Sequence, residues 1–282
     1  MIKKVAVIGA GTMGHGIAQV SAAAGFITSL NDMTDEICKS ALSNISASLD
    51  RSVKKGKITE EQKKEVLERI AVTTNLEKAV ENADLIIEAV LENIELKKTL
   101  FKKLDGIAGP ESIIASNTSQ YSITDIASVT TNPARIVGTH FFNPPIIMKL
   151  IEVVRGLETA DDVIERIRNF ATKTGKEIVV CRDSQGFIST RVLVALRLEC
   201  YRLFEEGIAS KEDIDKTLKL AFGHPMGQFE LADFSGLDIE LPIYEGLYKI
   251  YGDRFRPPQN ILHLVKAGRI GKKCGRGWYE YK

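Results

Sequence analysis

A short apolar run, Val5-Ala6-Val7-Ile8, leads straight into Gly9-Ala10-Gly11-Thr12-Met13-Gly14, and a helical pattern follows. The next apolar stretch ends on an acid, Asp32. A glycine-rich turn between strand and helix, with an acidic residue about 20 positions on, is the fingerprint of a dinucleotide-binding βαβ unit. Gly9 permits the tight turn, Gly11 lets backbone approach a pyrophosphate, and Gly14 lets the helix pack closely on the strand. The helix N-terminus offers its unfilled N–H groups and the positive end of its dipole to phosphate. The ligand implied is a nicotinamide or flavin dinucleotide.

Further apolar runs at 27–30, 70–74, 85–90, 113–116, 136–141, 150–154 and 178–181 are separated by helical patterns. That rhythm predicts a mainly parallel sheet covered on both faces, an α/β doubly wound domain of Rossmann type. Its ligand belongs at the carboxyl ends of the strands. Residues 34–70 break the alternation with a charged helical pair, interrupted at Lys54-Lys55-Gly56-Lys57. The pattern changes again near residue 184. Residues 187–204 are apolar on nearly every face, with Arg191, Arg197, Glu199 and Arg202 as the main interruptions. Helical patterns at 211–221, 230–251 and 259–267 follow. The expected division is 1–184 for the dinucleotide-binding domain and 185–282 for a smaller all-helical domain. A helix apolar most of the way round needs cover on most sides. A domain this small is expected to leave part of that cover to a partner subunit, although burial wholly within the domain is the other reading.

Composition excludes several classes. A formal net charge of +1 on 282 residues gives no reason to expect nucleic acid or a membrane surface as partner. No apolar run approaches the length needed to cross a bilayer. Strand pattern already begins at Val5, so no secretory signal or transit peptide is expected in this sequence. Cys38, Cys181, Cys200 and Cys274 lack C-x-x-C spacing, so reduced thiols and a cytoplasmic location are expected. No two of the four histidines have metal-ligand spacing, and no metal is expected.

Two clusters can carry chemistry. Ser116-Asn117-Thr118-Ser119 follows a buried strand, where hydroxyls and an amide could orient a substrate carbonyl and a nicotinamide. The same residue types suit the cap of a helix beginning near Ser122, and both readings stand. The second cluster is Gly138-Thr139-His140-Phe141-Phe142-Asn143-Pro144-Pro145, at the end of another strand. A neutral imidazole at His140 could take the proton of a substrate alcohol while hydride leaves the same carbon. Glu152 stands twelve residues later, at the end of the adjoining strand. A carboxylate among apolar neighbours is expensive to bury without a partner. Pairing with His140 would satisfy it and fix the imidazole tautomer. A structural histidine is the plainer alternative. His15, His224 and His263 are assigned no chemistry, and Lys54, Lys55, Lys57, Lys272 and Lys273 are by default solvated surface.

Together these motifs resemble the short-chain L-3-hydroxyacyl-CoA dehydrogenase family over nearly the whole chain. The resemblance also rests on Met148-Lys149-Leu150-Ile151-Glu152, Asp183-x-x-Gly186-Phe187-Ile188, His224-Pro225-Met226-Gly227 and Gly271-Lys272-Lys273. It implies NAD-linked interconversion of a 3-hydroxyacyl-CoA, with 3-hydroxybutanoyl-CoA the expected substrate, and its 3-oxoacyl-CoA. By resemblance, His140 matches the general acid/base and Glu152 the carboxylate that orients it. Ser119 matches the hydroxyl touching substrate and nicotinamide, and Asp32 the acid that holds the adenosine ribose. Gly9, Ala10, Gly11, Thr12, Met13, Gly14, Glu92, Lys97, Asn143 and Lys273 fall where the family contacts NAD. Ser48 and Lys55 fall where it contacts coenzyme A. The resemblance also implies a homodimer formed through the helical domain, which would share the substrate cleft.

Three departures bear on activity. Gln185-Gly186-Phe187-Ile188-Ser189-Thr190-Arg191 stands where the family has Pro-Gly-Phe-x-x-Asn-Arg, so that Thr190 replaces the active-site Asn. Gln120 replaces a Ser, and Gln228 a Pro. Thr lacks the amide's two donors. If that Asn steadies the developing oxyanion, its loss costs on the order of 3 kcal/mol, about a hundredfold in rate. A dehydrogenase of a free hydroxy acid, and a catalytically weakened NAD-binding protein, are the alternatives these departures raise.

Overall fold

The computed structural model describes residues 1–281, in two units, 1–184 and 185–281. The first is built on eight strands: β1 Lys4–Ile8, β2 Ile27–Asn31, β3 Ile70–Thr73, β4 Leu85–Glu88, β5 Ile113–Ser116, β6 Ile136–Phe141, β7 Leu150–Arg155 and β8 Glu177–Arg182. Their order is β3-β2-β1-β4-β5-β6-β7-β8. Every neighbouring pair is parallel except β6 and β7. The fold class read from the sequence therefore holds. The central strands are buried on both faces, as the continuous runs in β1, β4, β5 and β6 require. Cover fails at the edge, where β8 leaves Val179 and Val180 about 40% exposed.

The helices of this unit are α1 Thr12–Ala23, α2 Asp35–Lys54, α3 Glu60–Glu68, α4 Leu76–Val80, α5 Ile94–Ile107, α6 Ile123–Ala127 and α7 Asp161–Lys173. Local chemistry sets their ends. Thr34 caps α2 by accepting from the Ile37 N–H, and α3 opens with a Thr59/Gln62 capping box. Gly56, at φ +65°, breaks the chain between them. Asn93 caps α5, and Ser122 caps α6 while donating its hydroxyl to Asp183. Ile17, Leu30, Ile45, Leu85, Ile87, Phe141 and Phe170 belong to one apolar core that joins these layers.

The second unit comprises α8 Ser189–Glu205, α9 Lys211–Phe222, α10 Gln228–Ser235, α11 Leu237–Tyr251 and α12 Gln259–Lys266. Tyr201, Phe229 and Trp278 meet at centroid separations of 4.8–5.1 Å within its core. Two expectations change here. The helical stretch at 230–251 is two helices, because Gly236 at φ +102° ends one and starts the next. Arg197, one of the interruptions of the apolar pattern, does not open α8 to solvent. It is buried, paired with Glu240, and donates through Nε to Gln228 at 3.0 Å. A guanidinium can lie inside a helical core only when such partners compensate its lost hydration.

Candidate active site

The glycine turn has the geometry its spacing demands. Gly9 leaves β1 at φ +99°, and a Cβ there would lie 2.5 Å from the Ala89 carbonyl oxygen at the exit of β4. Strand order reverses between β1 and β4, the place where doubly wound sheets bind ligands. A Cβ at Gly14 would fall 1.7 Å from the Gly9 carbonyl oxygen, whereas one at Gly11 meets nothing within 4 Å. Gly11 is also the N-cap of α1 and supplies no side-chain cap. Asp32 accepts from the Ala10 N–H at 2.6 Å and from the Met33 N–H at 2.7 Å, which ties it to the turn. His15 lies with Nδ1 2.7 Å from the Gly11 carbonyl oxygen. An open middle glycine, an uncapped helix start and a fixed acid together fit a dinucleotide.

Beside the turn stands a polar network that the sequence reading only half anticipated. Glu88, the last residue of β4, is fully buried, yet it received no role from the sequence. Its carboxylate accepts from Lys97 Nζ at 2.7 Å, Ser116 Oγ at 2.7 Å and the Val90 N–H at 2.8 Å. Burial pushes the Glu88 carboxyl up. Burial also works against the Lys97 ammonium, but Glu88 and Glu92 outweigh it and hold Lys97 protonated. Lys97 lies 3.1 Å from Glu92, which accepts from Thr118 Oγ1 at 2.6 Å and the Ser119 N–H at 2.9 Å. Lys97 is buried, so that its charge acts through the two glutamates. The detectable sign was an acid closing the apolar run Leu85-Ile86-Ile87-Glu88, with a lysine nine residues on.

Of the four residues 116–119, none caps α6; Ser122 does that. Ser116 and Thr118 bind Glu88 and Glu92, and Asn117 Oδ1 accepts from the Phe141 N–H at 2.9 Å. That bond ties the end of β5 to the end of β6, where His140 stands.

His140 and Glu152 are directly opposed in the register of β6 and β7. His140 Nδ1 lies 3.0 Å from Glu152 Oε2, with the carboxylate fully buried and the ring nearly so. An imidazole facing a buried carboxylate carries its proton on that nitrogen and donates it. Glu152 is the third residue of its strand, near the start and not the end. The antiparallel turn of β7 brings that start to the carboxyl end of β6, on the same side of the sheet as the glycine turn. Phe142 packs its ring on His140, centroids 4.5 Å apart.

The family model for the NAD-binding domain of 3-hydroxyacyl-CoA dehydrogenase matches residues 4–184, and that for its C-terminal domain matches residues 186–281. The chain belongs to the 3-hydroxyacyl-CoA dehydrogenase family. It is 45% identical over 282 residues to a probable 3-hydroxybutyryl-CoA dehydrogenase of Bacillus subtilis, covering 100% of this chain and 98% of that one. The mitochondrial hydroxyacyl-coenzyme A dehydrogenase of Homo sapiens is 42% identical over 290 residues, covering 100% of this chain and 92% of its own. The crystal structure of the (S)-3-hydroxybutyryl-CoA dehydrogenase of Ralstonia eutropha matches 100% of both chains, at a TM-score of 0.96 and 40% identity.

Other family positions fall as follows. Asn143 is exposed in the loop after β6. Ser48 is buried on α2, and its hydroxyl has no hydrogen-bond partner among the described residues. Lys55, exposed, is the C-cap of the same helix. In the helical unit, Thr190 is the second residue of α8, and Lys273 Nζ lies 2.7 Å from the Asp238 carboxylate. Gln120 is buried in the first unit and Gln228 in the second. Among the described residues, no group of three or more His, Cys, Asp or Glu could hold a metal, and no helix is long and apolar enough to cross a membrane.

Proposed function

We propose that this NAD-dependent dehydrogenase of the 3-hydroxyacyl-CoA family interconverts an (S)-3-hydroxyacyl-CoA, foremost 3-hydroxybutanoyl-CoA, and the 3-oxoacyl-CoA, with His140 as general acid/base. The observation that carries the reading is the buried His140–Glu152 pair at the carboxyl end of the sheet. The Gly9–Gly14 side of the site would hold NAD, which when bound would supply the hydride acceptor for C3 of the alcohol and, as NADH, the donor in the other direction. With Nδ1–H donated to Glu152, Nε2 is the nitrogen that exchanges a proton with the substrate oxygen. In the oxidative direction Nε2 takes the hydroxyl proton, and the Glu152 carboxylate stabilises the imidazolium so formed. In the reductive direction the same proton goes to the new alkoxide.

Several residues serve binding in this reading. The Gly9–Gly14 turn holds the diphosphate, while Asp32 takes the ribose hydroxyls and repels a 2′-phosphate. Ser119, steadied by Glu92, and Thr190 serve the reacting carbonyl. Ser48 and Lys55 fall to coenzyme A, and Asn143 and Lys273 to the cofactor. Thr190 keeps one donor where the family has an amide, which favours a slow enzyme as the second reading.

Steady-state rates with acetoacetyl-CoA test this directly. NADH is expected to outperform NADPH at least about tenfold in kcat/KM, because an unshielded carboxylate facing a phosphate dianion is strongly unfavourable. Thr190→Asn is expected to raise kcat by about tenfold to a hundredfold. Equal rates with both cofactors would remove the role given to Asp32, and no gain in the variant would remove that of Thr190.

We assign α8 to a homodimer interface on the same grounds of exposure. Ile188, Val192 and Ala195 stand exposed at helical spacing, with Val192 63% exposed. Light scattering on Val192→Glu should give a monomer where the unmodified chain gives a dimer; an unchanged mass refutes the assignment. Four cysteines without C-x-x-C spacing fit a cytoplasmic location.

A further inference from the structure

The loop 142–149 joins His140's strand to Glu152's strand and carries Asn143. Ile146, Ile147 and Met148 within it are exposed at 42%, 66% and 41%, so these three side chains do not anchor it. Its own backbone supplies one knot, the Ile147 and Met148 N–H groups both donating to the Pro144 carbonyl at 3.0 Å. Groups outside the loop also hold it, among them the Glu177 N–H, which donates to the Lys149 carbonyl at 2.8 Å. On one side Pro145 lies against α1, where a Cβ on Gly16 would come 2.9 Å from Pro145 Cδ. On the other stands Lys176, in the turn between α7 and β8, whose ammonium donates to the Pro145 carbonyl at 2.6 Å and to the Met148 carbonyl at 2.7 Å.

Lys176 is only 8% exposed and has no carboxylate partner among the described residues. Burial lowers its pKa, with no opposing charge to offset it. An ammonium held in such a place by carbonyl oxygens is a costly way to close a turn that an apolar side chain could fill. Its two bonds, however, reach three residues apart in one loop. They fix the segment that begins at Asn143 and press it toward the helix of the dinucleotide turn.

We propose that Lys176 is a positioning residue for the cofactor site, holding the 144–148 loop against α1 and thereby setting where Asn143 stands. The proposal rests on the reading of Asn143 as a cofactor contact. His140 has its own anchor in Glu152, so the effect falls on cofactor affinity more than on the chemical step.

The test is Lys176→Met beside Lys176→Arg in the full-length protein. In Lys176→Met without ligand, exchange of the Ile147 and Met148 amide hydrogens should accelerate about tenfold or more, since two hydrogen bonds from a charged donor are gone. The NADH dissociation constant, read by fluorescence, should rise about tenfold, while kcat at saturating NADH stays within about twofold. Lys176→Arg, which keeps a charged donor, should recover most of both. Should Lys176→Met not fold, Lys176→Gln, a neutral and shorter donor, is read in its place, with faster exchange and weaker NADH binding expected again. Unchanged exchange and unchanged NADH affinity overturn the proposal, as does a loss in kcat as large as that in kcat/KM. Faster loop exchange with unaltered NADH affinity overturns the link to Asn143 while leaving the catalytic reading of His140 untouched.

Discussion

Alanine at His140 is expected to lower kcat for acetoacetyl-CoA reduction by about a thousandfold, while NADH still binds at its ordinary affinity. General acid/base catalysis by a positioned side chain is worth about a hundredfold to ten-thousandfold. His140 has two features that put it in the upper half of that range. It is held at 3.0 Å by a fully buried carboxylate, and it stands at the carboxyl end of its strand, on the same side of the sheet as the glycine turn. Truncation also leaves Glu152 buried without its imidazole, an expensive state that should lower thermal stability as well. Glu152→Gln is the companion variant. It keeps the shape and removes the charge that stabilises the imidazolium, so kcat should fall while the melting temperature shifts less than in Glu152→Ala. Turnover by His140→Ala at the rate of the unmodified enzyme would exclude the imidazole from the chemistry.

The second large effect is expected at Gly14. An added methyl there meets backbone, the Gly9 carbonyl oxygen at 1.7 Å, and backbone cannot swing aside as a side chain can. Either α1 moves off β1 or the turn opens, and both displace the N–H groups proposed to receive the diphosphate. Gly14→Ala should therefore weaken NADH binding at least about a hundredfold, the loss of several charge-assisted hydrogen bonds. Gly11→Ala is the contrast. Its methyl meets nothing in the protein, so the variant should melt like the unmodified chain and lose affinity only through collision with the ligand. Calorimetric titration with NADH and thermal unfolding of both variants check the pair. Equal NADH affinity in Gly14→Ala would show that the turn does not cradle the cofactor.

The two glycines also illustrate what could be read in advance. Turn, open approach and close helix packing are local demands on the backbone, and a Gly-x-Gly-x-x-Gly spacing states them without help from the rest of the chain. Continuous apolar runs separated by helical periods likewise imply buried parallel strands, because nothing else covers both faces of a strand so completely. Even the His140–Glu152 partnership was legible, since an acid inside an apolar strand demands a partner and a strand-end histidine was at hand.

Side chains that depend on distant neighbours were not legible. Glu88 was only an acid inside the apolar run 85–90 until Lys97, Ser116 and the Glu92 loop closed around it. Arg197 read only as an interruption of an apolar stretch, yet Glu240 and Gln228, 43 and 31 residues on, make its burial tolerable. The helical period through 230–251 concealed the break at Gly236, whose positive φ is compatible with either a continuing or a broken pattern of apolar residues.

Sequence alone indicated the kind of sheet, the dinucleotide turn and the pairing of His140 with Glu152, because backbone sterics and the cost of burying a charge act over a few neighbouring residues. Folding in three dimensions decided that β7 would run antiparallel, which carries Glu152 to His140, and that Lys97 and Lys176 would leave solvent to hold carboxylates and carbonyls. Charges are placed by whichever compensating groups the finished packing brings within reach, and those groups come from remote parts of the chain.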